Sequence, residues 1–404
     1  MNRYLLMAVV AAAAMVAQAA AQQGPRYRAD GPDAYAYGQP DGYPMCSGLK
    51  YIDDTRCRVG AFSNYGSLFP SRVVKAPATA SPLKRAADEP QIRYTFEGKE
   101  RTLDDYLNSR PVTGLLIARD DTILVERYQY GRTDKHLLTS FSMAKSIIGL
   151  LVGIALDRGA IRSIDDLAEV YVPELKGSEY GRTPIKALLQ MSSGVEFSEI
   201  YSDITSDIYT LARMTLEQGP AGSIEALKHF NTRRAPPGQS FSYSSAESLV
   251  LGVVVAKATG RTVSDFASEV LWQPLGAESD ARWNIDATGQ EVTYAYYNAV
   301  LRDWARLGLM LAHGGKWAGR TIVPEQWIAA STTVQPDWPS PTYGYQIWIS
   351  PFDPSRFYLS GLRGQFVSVD PKSKTILVQT ALAGNEHATI ELAQLFAGAR
   401  ALIP

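Results

Sequence analysis

The hydrophobic rhythm changes several times along the chain. Residues 22–48 are rich in Gly, Pro, Tyr and Gln and offer little to bury, which predicts a linker. Residues 49–73 add Phe62, Tyr65, Leu68 and Phe69, enough for an arm packed on a larger body. Residues 74–92 return to Ala, Pro and mixed charge, so regular structure is expected from near Ile92. Leu115-Leu116-Ile117 and Ile123-Leu124-Val125 flank the turn Arg119-Asp120-Asp121 and predict a hairpin within Gly114–Tyr130. From Ser142 to Asp157 the chain is apolar nearly all round, the mark of a buried central helix, with Gly159 suited to the position after its end.

The stretch 163–315 predicts a mostly helical middle, broken by Pro236-Pro237-Gly238 and the turn-like 241–245. A second apolar helix is expected over Ala246–Thr259, closed by Gly260. The last third carries strand signals at Tyr345–Ile349, Phe357–Leu359, Phe366–Val369 and Ile376–Thr380, then a helix over 386–401. Strands at both ends with helices between predict an α+β fold, an antiparallel sheet flanked by helices with an inserted all-helical region.

Residues 1–21 read as a cleavable signal peptide. Arg3 precedes the apolar run Leu5–Val16, too short to span a bilayer, and Ala17-Gln18-Ala19 matches a cleavage site. The expectation is a secreted or periplasmic protein with no stable membrane insertion after cleavage. Export permits a disulfide, and Cys46 and Cys57 are near enough in sequence to pair. The predicted organisation is therefore a signal peptide (1–21), a linker and arm (22–92) and one large domain (93–404).

The 404 residues carry 40 Lys and Arg against 41 Asp and Glu, a net charge of −1, which lacks the basic field that nucleic acid demands. The two Cys and four scattered His offer no zinc spacing, so a Cys- or His-based zinc site is not expected. The chain has no G-x-S-x-G, Walker loop, G-x-G-x-x-G or H-E-x-x-H motif.

S-x-x-K boxes recur along the chain. Ser81-Pro82-Leu83-Lys84 lies in the second linker with Pro inside it, whereas Ser142-Met143-Ala144-Lys145 opens the buried helix. At a helix start, residues i and i+3 share a face, so Lys145 can reach the Ser142 hydroxyl. Burial favours the neutral amine, which can take a hydroxyl proton, and the helix N-terminus adds free N–H donors. The alternative is a helix-capping Ser with a Lys that reaches outward to solvent. Tyr243-Ser244-Ser245 precedes the second apolar helix. Tyr243 can shuttle a proton if a cation such as Lys145 lowers its pKa, and Ser245 can bond Lys145 or a substrate amide. The alternative there is a helix cap with a surface Tyr. Small residues at Leu359-Ser360-Gly361-Leu362-Arg363-Gly364-Gln365 suit close approach of a substrate backbone, or simply a bend.

In this order the three boxes resemble the serine β-lactamase and penicillin-recognising superfamily. The likeness is nearest to its class C-related branch, which also holds carboxylesterases and 6-aminohexanoate-dimer hydrolases. Lys135-His136-Leu137-Leu138, Tyr171-Val172-Pro173-Glu174-Leu175, Gly177-Ser178, Phe241–Ala246 and Arg363-Gly364-Gln365 through Asp370-Pro371 carry the resemblance, which runs from about residue 60 to the end. It implies Ser142 as acylated nucleophile, Lys145 as its base and Tyr243 as proton donor to the leaving group. The backbone N–H groups of Ser142 and Leu362 would form the oxyanion hole, and no metal or cofactor would be used. Ser245, Ser360, Gly361, Arg363 and Gln365 would contact the substrate, a small ester or linear amide. Members include dimers, so a homodimer is compatible with it.

The chain departs from β-lactamases in two places: Leu359-Ser360-Gly361 stands where they have Lys-Thr-Gly, and Ser245 where class C enzymes have Asn. Both predict poor β-lactam turnover. The competing readings are a D-alanyl-D-alanine carboxypeptidase or β-lactamase, and a non-catalytic binding protein that keeps the fold.

Overall fold

The computed structural model describes residues 27–52, 54–217 and 222–402; the predicted signal peptide lies outside them. Eleven strands form the two main sheets of the described residues: β1 (Ser71–Val74), β2 (Lys84–Arg85), β3 (Val112–Arg119), β4 (Thr122–Tyr128), β5 (Leu138–Thr139), β6 (Ala281–Asn284), β7 (Tyr297–Ala299), β8 (Trp348–Ile349), β9 (Phe357–Gly361), β10 (Gln365–Asp370) and β11 (Thr375–Ala381). The large sheet runs β8-β9-β10-β11-β3-β4-β2 and is antiparallel except where β2 lies parallel to β4. The smaller sheet runs β1-β6-β7-β5. The architecture is α+β.

Both faces of the large sheet's centre are covered, so β3 and β11 are buried nearly throughout, whereas β4 and β9, nearer its edges, alternate. Leu115 and Ile117 of β3 pack beneath the C-terminal helix, Glu386–Ala401, while Leu116 and Ala118 face the main core. In that core lie helix α1 (Met143–Asp157) and helix α2 (Ser245–Thr259), packed on each other. Every residue of α1 from Met143 to Ala155 is buried, as its all-round apolar sequence requires. Gly159 follows α1 at φ +75°, a left-handed turn that glycine adopts without strain.

Two expectations need correction. The described part of the first predicted linker and the second predicted linker are not loose, and regular structure begins before Ile92. Tyr37 of the first linker is buried against the main core, the second linker supplies sheet strand β2, and between them a short helix spans Arg58–Ser63 and β1 joins the smaller sheet, with the arm residues Tyr51, Phe62 and Tyr65 buried. Aromatic rings supply apolar area that a reading of Gly and Pro content overlooks. The supposedly helical middle also contributes strands β6 and β7. Their partners β1 and β5 are far away in sequence, so no local pattern announces them.

Candidate active site

Ser142 sits immediately before α1 with helical backbone angles (φ −67°, ψ −6°) and makes no side-chain cap. The capping alternative therefore does not describe it. Its hydroxyl instead accepts a hydrogen bond from Lys145 Nζ at 2.8 Å. The turn that presents it is strained and firmly held. Phe141 has φ +43°, which a bulky side chain rarely adopts and which persists only where surroundings over-determine it. Ser140 supplies part of that restraint: its N–H donates to the Tyr297 carbonyl and its Oγ accepts from the Tyr297 N–H.

Lys145 is about 1% exposed and does not reach for solvent. Its Nζ donates to Ser142 Oγ, Ser245 Oγ (3.0 Å) and the Tyr294 carbonyl (2.9 Å). Burial brings its pKa down to about 8, and the Glu199 carboxylate opposes part of that fall. A substantial neutral fraction is thus available near neutral pH. The S-x-x-K box at Ser81–Lys84 shows the contrast, since Lys84 is largely exposed and pairs with Asp121 at 2.8 Å.

Tyr243 stacks on Trp348 (centroids 5.5 Å apart), and Lys145 Nζ lies 5.0 Å from its ring centroid. The expectation that a cation lowers its pKa is reversed. Burial, then the charge of Glu199, push it up, and its hydrogen bond with Ser142 offsets this only partly. The phenol stays protonated, which suits a proton donor and not a phenolate base.

Leu362 and Arg363 lie in the three-residue loop between β9 and β10, with Arg363 at φ +64°. Neither Ser142 N–H nor Leu362 N–H donates to a backbone or side-chain acceptor among the described residues. Both residues line one cavity of about 300 Å³, together with Ser245 and Arg363.

Three predicted substrate contacts do not reach that cavity. Ser360 alternates with Leu359 and Gly361, so it shares the face of Tyr358, under the C-terminal helix and away from α1. Gly361 serves close packing of backbone: a Cβ there would lie 2.2 Å from the Ser140 carbonyl oxygen. Gln365 is a buried brace, its Nε2 donating to the Leu362 and Ala381 carbonyls and its Oε1 accepting from the Ala381 N–H.

Other residues enter that the motifs did not flag. Glu199 accepts from Ser245 N–H at 2.6 Å and from Ser245 Oγ at 2.9 Å, and also bonds the Tyr201 hydroxyl. Tyr201, Tyr209, Tyr294, Tyr296 and, from the arm, Tyr51 line the cavity, with Ile52 and Ile208. Their only sequence signal is an acid or an aromatic in an apolar stretch. Glu196, three residues earlier, has the same signal but pairs with Arg234 at the surface. Among the described residues one His/Cys/Asp/Glu group is tight enough for an ion, Cys46, Asp54 and Cys57. Its two sulfurs are joined in a disulfide and cannot ligate as thiolates.

Residues 100–387, most of the chain, match the Beta-lactamase family model. The chain belongs to this family. Membership makes it a hydrolase of the serine β-lactamase fold. Among its relatives, the 6-aminohexanoate-dimer hydrolase of Paenarthrobacter ureafaciens is 30% identical over 339 residues, covering 79% of this chain and 84% of that protein. A Bacillus anthracis structure that carries the same name provisionally superposes with TM-score 0.78 at 22% identity, over 88% of this chain and 98% of that one. A family VIII carboxylesterase superposes at 0.54 and 17% identity, over 72% and 93% respectively. Likenesses at this level of identity establish the shared fold.

Proposed function

We propose that the protein is an exported serine hydrolase that cleaves small esters or linear amides through an acyl-enzyme. The observation that carries this reading is the contact between the Ser142 hydroxyl and a buried Lys145 whose pKa has fallen to about 8. Neutral Lys145 takes the Ser142 proton as Oγ attacks the substrate carbonyl carbon. The N–H groups of Ser142 and Leu362 receive the developing oxyanion. Tyr243 gives its proton to the leaving alkoxide or amine as the C–O or C–N bond breaks, and protonated Lys145 restores it. Water then attacks the acyl-serine, and a carboxylic acid leaves with Ser142 regenerated.

The relatives' names support the ester and linear-amide class. The disulfide supports export, since such bonds persist in oxidising compartments. Against β-lactam turnover stands Leu359: where β-lactamases carry a strand Lys, this side chain is buried in the core and offers no cation.

The test is intact mass after brief exposure to p-nitrophenyl acetate, beside Ser142→Ala. Gain of one acetyl group mapping to Ser142 and missing from the variant is expected. Equal nitrophenol release by both proteins overturns the mechanism.

A further inference from the structure

The arm ahead of the family-matched residues reaches the cavity. Tyr51 and Ile52 lie in its wall, on the loop that Cys46 and Cys57 close. The loop is held from several sides at once. The Tyr51 hydroxyl is 2.6 Å from that of Tyr65, and Tyr65 stacks on cavity-lining Tyr296 with centroids 4.5 Å apart. Arg58 donates to the Tyr51 carbonyl at 3.3 Å and to the Ile52 carbonyl at 3.1 Å. Arg363, beside Leu362, donates to the Ile52 carbonyl at 3.2 Å. The disulfide fixes the ends of this loop, with the two Cα atoms 5.6 Å apart.

Which half of a substrate meets this wall follows from what lines the cavity. Ser142 and Leu362, which carry the oxyanion donors, are part of it; Tyr243, which protonates the leaving group, is not. The leaving group departs towards Tyr243, and the cavity holds the acyl side. Apart from Ser142, Ser202, Ser245 and Arg363 its lining is mainly aromatic and aliphatic, including Ile52, Ile208, Ala212 and Leu362.

We infer that Tyr51 and Ile52 form the acyl-chain wall of the active site, and that the Cys46–Cys57 disulfide holds this wall in place, so that the arm determines which acyl chain lengths are accepted. The inference rests on the acyl-enzyme reading above. Opening this wall admits longer chains; loosening it by reduction weakens discrimination between chains.

The experiment compares kcat/KM for p-nitrophenyl acetate and p-nitrophenyl octanoate in wild type, Ile52→Ala and Ile52→Trp. Each is assayed oxidised and after reduction with a phosphine, with acylation at Ser142 followed by intact mass. Ile52→Ala is expected to raise the octanoate-to-acetate ratio about tenfold, the scale on which methylene-sized pocket changes discriminate. Ile52→Trp is expected to lower it comparably, and reduction to shift the wild-type ratio towards that of Ile52→Ala. A ratio unchanged within twofold in Ile52→Ala, with Ser142 still acylated, overturns the wall. A shifted ratio in Ile52→Ala beside a wild-type ratio indifferent to verified reduction overturns the disulfide's part. If Ile52→Trp fails to fold, Ile52→Ala and reduction still decide. Absence of Ser142 acylation in oxidised wild type by either ester overturns the acyl-enzyme reading itself, and this inference falls with it.

Discussion

The Glu199 carboxylate grips Ser245 by both its backbone N–H, at 2.6 Å, and its hydroxyl, at 2.9 Å, while that same hydroxyl accepts from Lys145 Nζ at 3.0 Å. One carboxylate thus fixes the start of α2 and raises the proton affinity of Lys145 through its charge. Its contacts with Lys145 run through Ser245, so Glu199 is a positioning residue.

The pH profile follows from Lys145. The neutral amine is the base, so kcat/KM should rise as pH increases through about 8 and level off above it. Glu199→Gln removes the charge that opposes the effect of burial, so the inflection should move to lower pH. A profile in Glu199→Gln that superposes on wild type after scaling would refute the electrostatic link. Lys145→Met should lower kcat by about 10⁴-fold, the order seen when one member of a nucleophile–base set is lost.

Tyr243→Phe keeps the ring against Trp348 and Lys145 but removes the proton donor. An amine leaving group needs that proton far more than nitrophenolate does. Turnover of a linear amide should therefore fall by about 10²–10⁴-fold, the usual range for general acid catalysis. Hydrolysis of p-nitrophenyl acetate should fall much less. Equal losses on the two substrates would place the hydroxyl's role elsewhere.

Gly361→Ala would set a methyl group 2.2 Å from the Ser140 carbonyl oxygen. Backbone has to shift on both sides, two residues before Ser142 and one before Leu362. A stability loss of about 1–3 kcal/mol is expected, as for other overpacked sites. Acylation should slow in the protein that remains folded. Ser360→Ala, on the opposite face of the same strand, should leave both melting temperature and kcat/KM near wild type.

Glu247 is buried in α2, where Ser193 N–H and Oγ donate to its Oε1 and its Oε2 has no partner among the described residues. Burial raises its pKa to about 8, against the hydrogen bonds that favour its charged form. Between the ordinary carboxylate pKa of about 4.5 and about 8, the folded protein holds a proton that the unfolded chain releases. Its contribution to stability is therefore greatest at low pH and declines through that window. Glu247→Gln lacks this dependence, so its melting temperature should gain on wild type between pH 5 and pH 8. A constant difference across those pH values would contradict a protonated Glu247.

The sequence by itself determined the α+β class, both apolar helices, the hairpin predicted within Gly114–Tyr130 and the relation of Ser142 to Lys145. These rest on short-range physics: the periodicity of each element, and three residues of separation across one helical turn. Tertiary structure alone decided the rest. Glu199 and Glu196 are equivalent as sequence, yet only one meets Ser245. Small residues at 359–365 were legible as a place of close approach. What approaches Gly361 is the chain's own Ser140 carbonyl, because that strand packs beside the turn before α1. The stretch before Ile92 reads as mostly linker for a related reason: Tyr37 is buried against Tyr130 and β1 pairs with β6, partners that lie far along the chain. Local pattern encodes which element a segment becomes. Which side chains meet depends on long-range packing and on burial, and burial sets the pKa values on which the chemistry turns.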